Sequence, residues 1–178
     1  MKSIAIMLSA LLGTSLAVAG ESNDPANAKK ALDAAKISCH DAIATAQKEV
    51  NGGKPVEVEL DWDNNAAHYE VELLSGDAEK EVWVCAVTGK VLKVESEVKP
   101  DGKEEKREVA QARKALDGSK QSFDQAKAAA AKGAPDAKIV GMELTMVADR
   151  PTYKICALQG EKIVKMHVDG IDGKLTHK

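Results

Sequence analysis

Apolar and polar residues alternate along short stretches of this chain, and each stretch ends in turn chemistry. Over Val56–Asp61, Val56, Val58 and Leu60 share one side, and Glu57 and Glu59 share the other. Tyr69–Leu73 does the same, with Tyr69, Val71 and Leu73 against Glu70 and Glu72. Period-two alternation of this kind predicts strands with one buried face. Ser75-Gly76-Asp77-Ala78 reads as a hairpin turn. With Gly76-Asp77 at its centre, Val71 opposes Val82 and Tyr69 opposes Val84, so all four share a face. Thr88-Gly89 makes the next turn and Val91–Val98 the last strand. Ahead of the strands the period changes. Cys39, Ile43, Ala46 and Val50 fall at i, i+4, i+7 and i+11 behind Ser38-x-x-Asp41, an apolar helical stripe behind a capping box. Asn51-Gly52-Gly53 stops that helix, and Asn27–Lys36 is an Ala/Lys-rich helical stretch before it.

The whole pattern returns at an offset of 84 residues, without a gap. Ala31-Leu32-Asp33 recurs as Ala115-Leu116-Asp117, Ser38 as Ser122, Glu59-Leu60 as Glu143-Leu144, Tyr69 as Tyr153, and Gly89-Lys90 as Gly173-Lys174. Matches spread along the full unit indicate a duplicated supersecondary unit. In the copy, Glu104–Gly118 is the first helical stretch and Ser122-x-x-Gln125 caps the second. Phe123, Lys127, Ala130 and Ala134 form a weaker stripe, and Gly133 and Pro135 end it. Asp172-Gly173 reads as a type I′ turn before Leu175–Lys178. The predicted fold is therefore α+β, with two tandem repeats. Each repeat is a helix-loop-helix packed on a four-stranded antiparallel meander sheet. The predicted boundaries are a signal peptide at 1–19, repeat one at 20–98, a Pro/Gly-containing linker at 99–103 and repeat two at 104–178. A unit of this size is marginal alone, so the two are expected to share an interface.

The N-terminus reads as an export signal. A charged start at Lys2 precedes an apolar run from Ile4 to Val18 and an Ala17-Val18-Ala19 cleavage site. The run falls short of the roughly 20 apolar residues of a membrane span, and no Cys follows the cleavage site. The expected mature chain is periplasmic or secreted, with no membrane insertion. Its removal takes away one Lys and no acid, so the net charge of −3 becomes −4. That mild, evenly spread acidity argues against a nucleic-acid partner, as does an aromatic content of 3%. No motif calls for a cofactor.

These residues carry a family resemblance. A capped helix is followed by Tyr69-Glu70-Val71-Glu72-Leu73, a turn, and Val82-Trp83-Val84-Cys85-Ala86-Val87-Thr88-Gly89-Lys90-Val91. This resembles the PepSY domain, whose last hairpin usually reads Tyr-x-Val-x-Val, then x-Val-Asp-Ala-x-Thr-Gly-Lys-Val. The second copy carries Tyr153-Lys154-Ile155 and Val168-Asp169-Gly170-Ile171-Asp172-Gly173-Lys174-Leu175. Cys85 stands where the family usually has Asp. The duplicated layout also resembles the exported β-lactamase-inhibitor protein in architecture. PepSY resemblance implies a non-catalytic role, because the domain occurs in propeptides of thermolysin-type metallopeptidases and in small exported proteins. It implies a protein partner, such as an exported peptidase or another envelope protein, that the chain inhibits or regulates.

Several side chains are candidates for chemistry. Trp83 and Cys85 point away from the apolar face that Val82 and Val84 share. His167 occupies the Trp83 position of the copy, and Cys156 also points outward. Together they are a candidate partner-binding surface, unless they pack between the repeats. Cys85 and Cys156 are a candidate disulfide, provided their Cα atoms approach to roughly 4.4–6.8 Å. The alternative function is binding of a small ligand, calcium or a transition metal. Asp61, Asp63, Asn65 and Glu72 fit positions one, three, five and twelve of a calcium loop, although Ala66 stands where Gly is wanted, and the strand-like flanks make the stretch read rather as a polar hairpin tip. Cys85 and His68 become cross-strand neighbours in the hairpin register above, and could hold a transition metal. No serine or cysteine is paired with a base in a pattern that would signal nucleophilic catalysis, since Ser38 and Ser122 are explained as caps.

Overall fold

The computed structural model describes residues 24–76, 78–96 and 103–177. The expected signal peptide and most of the expected linker lie outside them. Helix α1 (Pro25–Ala34) starts two residues earlier than its alanine pattern suggests. The Asp24 carboxylate accepts from the Ala26 amide at 2.9 Å, and Pro25 sits in the first turn, where its missing N–H costs nothing. Helix α2 (Cys39–Glu49) begins at the predicted capping box. Ser38 Oγ accepts from the Asp41 amide and the Asp41 carboxylate accepts from the Ser38 amide. Strands β1 (Lys54–Asp63), β2 (Ala66–Ser75), β3 (Ala78–Cys85) and β4 (Val91–Ser96) follow. The second half repeats the order with α3 (Lys103–Gly118), α4 (Phe123–Gly133), β5 (Lys138–Val147), β6 (Arg150–Gln159), β7 (Lys162–Asp169) and β8 (Leu175–His177). Ser122 and Gln125 rebuild the capping box in α4.

The two meanders form one eight-stranded antiparallel sheet, ordered β4-β3-β2-β1-β5-β6-β7-β8. The predicted hairpin register is the one found: Val71 faces Val82, and Tyr69 faces Val84. The halves meet where β1 pairs with β5, through Glu57 opposite Glu143, Val58 opposite Met142 and Glu59 opposite Gly141. A single core runs under both halves, built from Val58, Leu60, Val71, Val82, Met142, Ile155, Met166 and their neighbours. Tyr69 donates to the Ile37 carbonyl at 3.1 Å and Tyr153 to the Gln121 carbonyl at 2.6 Å. Each bond ties the loop between two helices down onto its sheet.

The first helix of each half also reaches into the other. Ala28 of α1 is fully buried with Val140 and Cys156, while Val109 and Ala112 of α3 bury Val56 and Leu74. Burying a side chain such as Val or Leu is worth roughly 1.5–3 kcal/mol. Losing the partner half would therefore remove stabilisation comparable to the whole stability of a small domain, ~5–15 kcal/mol. The expected shared interface is thus strand pairing plus exchanged helices.

One turn assignment needs correcting. Asp172-Gly173 is not a type I′ turn, because only Gly173 has positive φ. The Asp169 side chain instead accepts from the Ile171 and Asp172 amides and shapes a longer loop. The tight turns with two positive-φ residues are Asn64-Asn65 between β1 and β2 and Ala148-Asp149 between β5 and β6, with φ of 50° and 61°, then 47° and 61°. Asparagine tolerates this region. Alanine pays a steric cost there of about 1–2 kcal/mol. Ala148→Asn should therefore stabilise the protein by ~0.5–1 kcal/mol and raise its urea midpoint, whereas Asn64→Ala should lower it by a similar amount.

Candidate functional site

The alternation that buries Val58, Val71 and Val82 sends their neighbours to the opposite face of the sheet. There the pairing aligns five glutamates directly across five strands: Glu95, Glu81, Glu72, Glu57 and Glu143. Like charges directly opposite destabilise a sheet. The row ends at Lys154, which meets Glu143 at 3.1 Å. Burial, then the neighbouring Glu72, Glu59 and Glu143, push the Glu57 carboxyl far above the usual range, so it is neutral at pH 7 and hydrogen-bonds Glu59. Burial also pushes Glu59 up to about 7, although that bond from Glu57 opposes it. Glu81 is raised chiefly by burial, partly offset by the Trp83 indole N–H that it accepts.

Beside this row lies a compact group around His68. The imidazole is buried, at 4% exposure, and its Nε2 lies 2.9 Å from Glu70 Oε1. Trp83 stacks on it with ring centroids 4.5 Å apart and planes 14° from parallel. Asp61 and Cys85 are its partners on the flanking strands. One donor atom each from Asp61, His68 and Glu70 lie within 4.8 Å of one another. The bond to Glu70 raises the His68 pKa against the opposing effect of burial. The Cys85 thiol is lowered first by a hydrogen bond with Thr88. Asp24, Asn27, Glu59, Asp61, Trp62, Asp63 and Glu70 line a cleft of about 390 Å³ next to this group. Five of these seven residues are acidic and none is basic.

The candidates from sequence are distributed differently from their expected grouping. Trp83 is half-buried; besides stacking on His68 and donating to Glu81, it carries Lys93 Nζ 4.8 Å from its ring centroid. Cys85 is half-buried beside it, and neither packs between the halves. Cys156 does, since it is buried against α1 with Ala28 and Val140, and burial raises its thiol pKa. His167 is half-buried on β7, between Lys154 of β6 and Thr176 of β8. A Cys85–Cys156 bridge is ruled out by topology. β2, β1 and β5 separate their strands, a gap of about 19 Å at ~4.8 Å per strand. Cys39, Cys85 and Cys156 form no disulfide among the described residues.

The calcium loop also dissolves. Asn65 belongs to the tight turn, and Glu72 pairs with Glu57 while Asp63 pairs with Ala66. Six strand residues, about 20 Å, therefore separate Glu72 from the turn. Asp61 keeps a role, but its companions are His68 and Glu70. Sequence reasoning missed this trio and the glutamate row. The signal was present: with Asn64-Asn65 taken as a two-residue turn, Asp61 falls opposite His68 and Glu59 opposite Glu70.

Among the described residues no helix is long and apolar enough to cross a membrane. No curated protein matches the chain. A Clostridium difficile 630 protein assigned as a lipoprotein, CD1622, has a solved structure similar to this one. It is 26% identical with a TM-score of 0.52, over 79% of this chain and 91% of that one. The Bacillus megaterium YpeB C-terminal domain is a more distant match, at 13% identity and a TM-score of 0.30, over 79% of this chain and 64% of that one. Residues 36–95 match the PepSY family, described as the peptidase propeptide and YPEB domain. Residues 36–95 are therefore similar to a PepSY domain, and the second half of the chain repeats the element order of the first.

Proposed function

We propose that this protein is an exported, non-catalytic binding module that regulates or inhibits a peptidase, and that it engages its partner through the glutamate-bearing face of the sheet. The observation that carries this reading is the row Glu81, Glu72, Glu57 and Glu143 on four adjacent strands. Such a row costs stability in the free chain. A partner presenting Lys or Arg side chains would relieve the repulsion and bind with charge complementarity. The PepSY match to residues 36–95 points to a peptidase as the class of partner, and the likeness to a protein assigned as a lipoprotein points to export. Trp83 supplies an aromatic surface held in place by His68.

The direct test is titration of the mature chain against purified exported metallopeptidases, with activity and binding both read. The wild type should inhibit or bind at least one. Glu72→Gln/Glu81→Gln should weaken that binding at least tenfold, and added salt should weaken the wild type but much less the variant. Equal binding by both forms would remove the face assignment, and no effect on any peptidase would remove the peptidase reading.

The same row sets a pH dependence. Glu57 has a folded pKa above its unfolded value near 4.5, so the folded state holds that proton more tightly. The stabilisation is complete below about pH 4.5 and is lost progressively as pH rises. The urea midpoint of the wild type should fall from pH 4.5 to pH 8, and Glu57→Gln should flatten that fall. An unchanged slope in the variant would show that Glu57 does not hold the proton.

A further inference from the structure

We propose that Asp61, His68 and Glu70 form a binding site for one divalent first-row transition cation of the zinc–copper class. Imidazole nitrogen with two carboxylate oxygens is a donor set suited to these ions, and the nitrogen disfavours calcium or magnesium. The geometry is close to what a cation needs. Metal–ligand bonds of about 2.0–2.2 Å place neighbouring donors roughly 3–4 Å apart, and the three donor atoms already lie within 4.8 Å of one another. His68 Nε2 and Glu70 Oε1, at 2.9 Å, share a proton that the cation would replace. The ligands are also held from behind. Trp83 stacks on the imidazole, and the Trp62 amide donates to Asp61 Oδ1 at 2.7 Å.

A second observation points to a cation independently. Glu59 lines the same cleft as Asp61 and Glu70. Its Oε1, on the Gly141 side of the strand, is buried and has no hydrogen-bond partner, and a buried carboxylate oxygen in that state favours positive charge nearby. The fourth position would be left to water. The second repeat has no equivalent, because Thr145, Thr152 and Lys154 stand at the three corresponding positions. The stoichiometry is therefore one ion per chain.

The test uses the chelator-treated mature chain. Calorimetric titration with zinc chloride should show one ion bound. Copper(II) should quench tryptophan emission, since Trp83 touches His68 and Trp62 adjoins Asp61. Asp61→Asn and Glu70→Gln should each weaken zinc binding at least tenfold, with circular dichroism unchanged. His40→Ala should leave it intact; it disrupts the exposed His40–Asp124 pair, the alternative surface site at 2.8 Å. His68→Gln should abolish binding. Should that buried substitution unfold the chain, the Asp61 and Glu70 variants still decide the matter. Absence of zinc binding, binding unchanged in both carboxylate variants, or loss of binding in His40→Ala would each overturn the site.

Discussion

Three residue pairs between β1 and β5 hold this molecule together as one object. Two four-stranded meanders would each present an unpaired central edge, a row of free N–H and C=O groups that other chains can pair with. Antiparallel pairing of the two edges removes both at once. It also forces a pseudo-twofold relation between the halves, because the same strand of each repeat is used. From that relation follow the exchanged helices, α1 against Val140 and Cys156, α3 against Val56 and Leu74. The same pairing sets Glu57 opposite Glu143 and so closes the glutamate row across the middle of the sheet. The junction that stabilises the fold thus also places a neutral, buried Glu57 across from Glu143, whose charge is met by Lys154.

Much of the fold was legible because local physics decided it. Ser38 and Ser122 cap helices wherever the chain goes, and a two-residue turn at Gly76-Asp77 leaves one register that buries Val71, Val82, Tyr69 and Val84 together. The β1–β5 junction was not legible. Edge pairing runs through backbone groups, which every sequence carries, and Val58 and Met142 read as ordinary core positions on separate strands. The bulges at Pro55–Glu57 and Ile139–Gly141 were equally silent, since each adds one residue without changing the hydrophobic pattern much.

The site was half legible for a related reason. Asp61 and His68 were both singled out from sequence, but with different companions. Spacing along the chain fits Asp61 to a calcium loop with Asp63, Asn65 and Glu72, beside the reading of the stretch as a polar hairpin tip whose register stays open. His68 falls opposite Cys85 in the register that the Gly76-Asp77 turn predicts. The missing step was the Asn64-Asn65 turn. Its two positive-φ residues make β1 and β2 a tight hairpin, and the hairpin brings Asp61 across to His68 and Glu70. Distance along a strand grows by about 3.3 Å per residue, so a ligand set that fits a loop is pulled apart by a strand.

Comparison of the two repeats separates what the fold needs from what it carries. Both keep the capped helix, the tyrosine bond to the interhelical loop and the tight turn between their first two strands. At the outward positions they part. Glu70 becomes Lys154, Glu81 becomes Lys165, His68 becomes Thr152, Asp61 becomes Thr145 and Trp83 becomes His167. In the second repeat the resulting contacts are satisfied locally: Lys154 meets Glu143, and the Thr152 hydroxyl donates to the Arg150 carbonyl. The first repeat instead concentrates carboxylates that repel one another and a buried oxygen on Glu59 without a partner. Since the second repeat builds the same sheet without this arrangement, folding does not require it. A costly arrangement that the fold does not need is best explained by what binds to it, and its chemistry, acidic with one imidazole and one stacked indole, asks for positive charge.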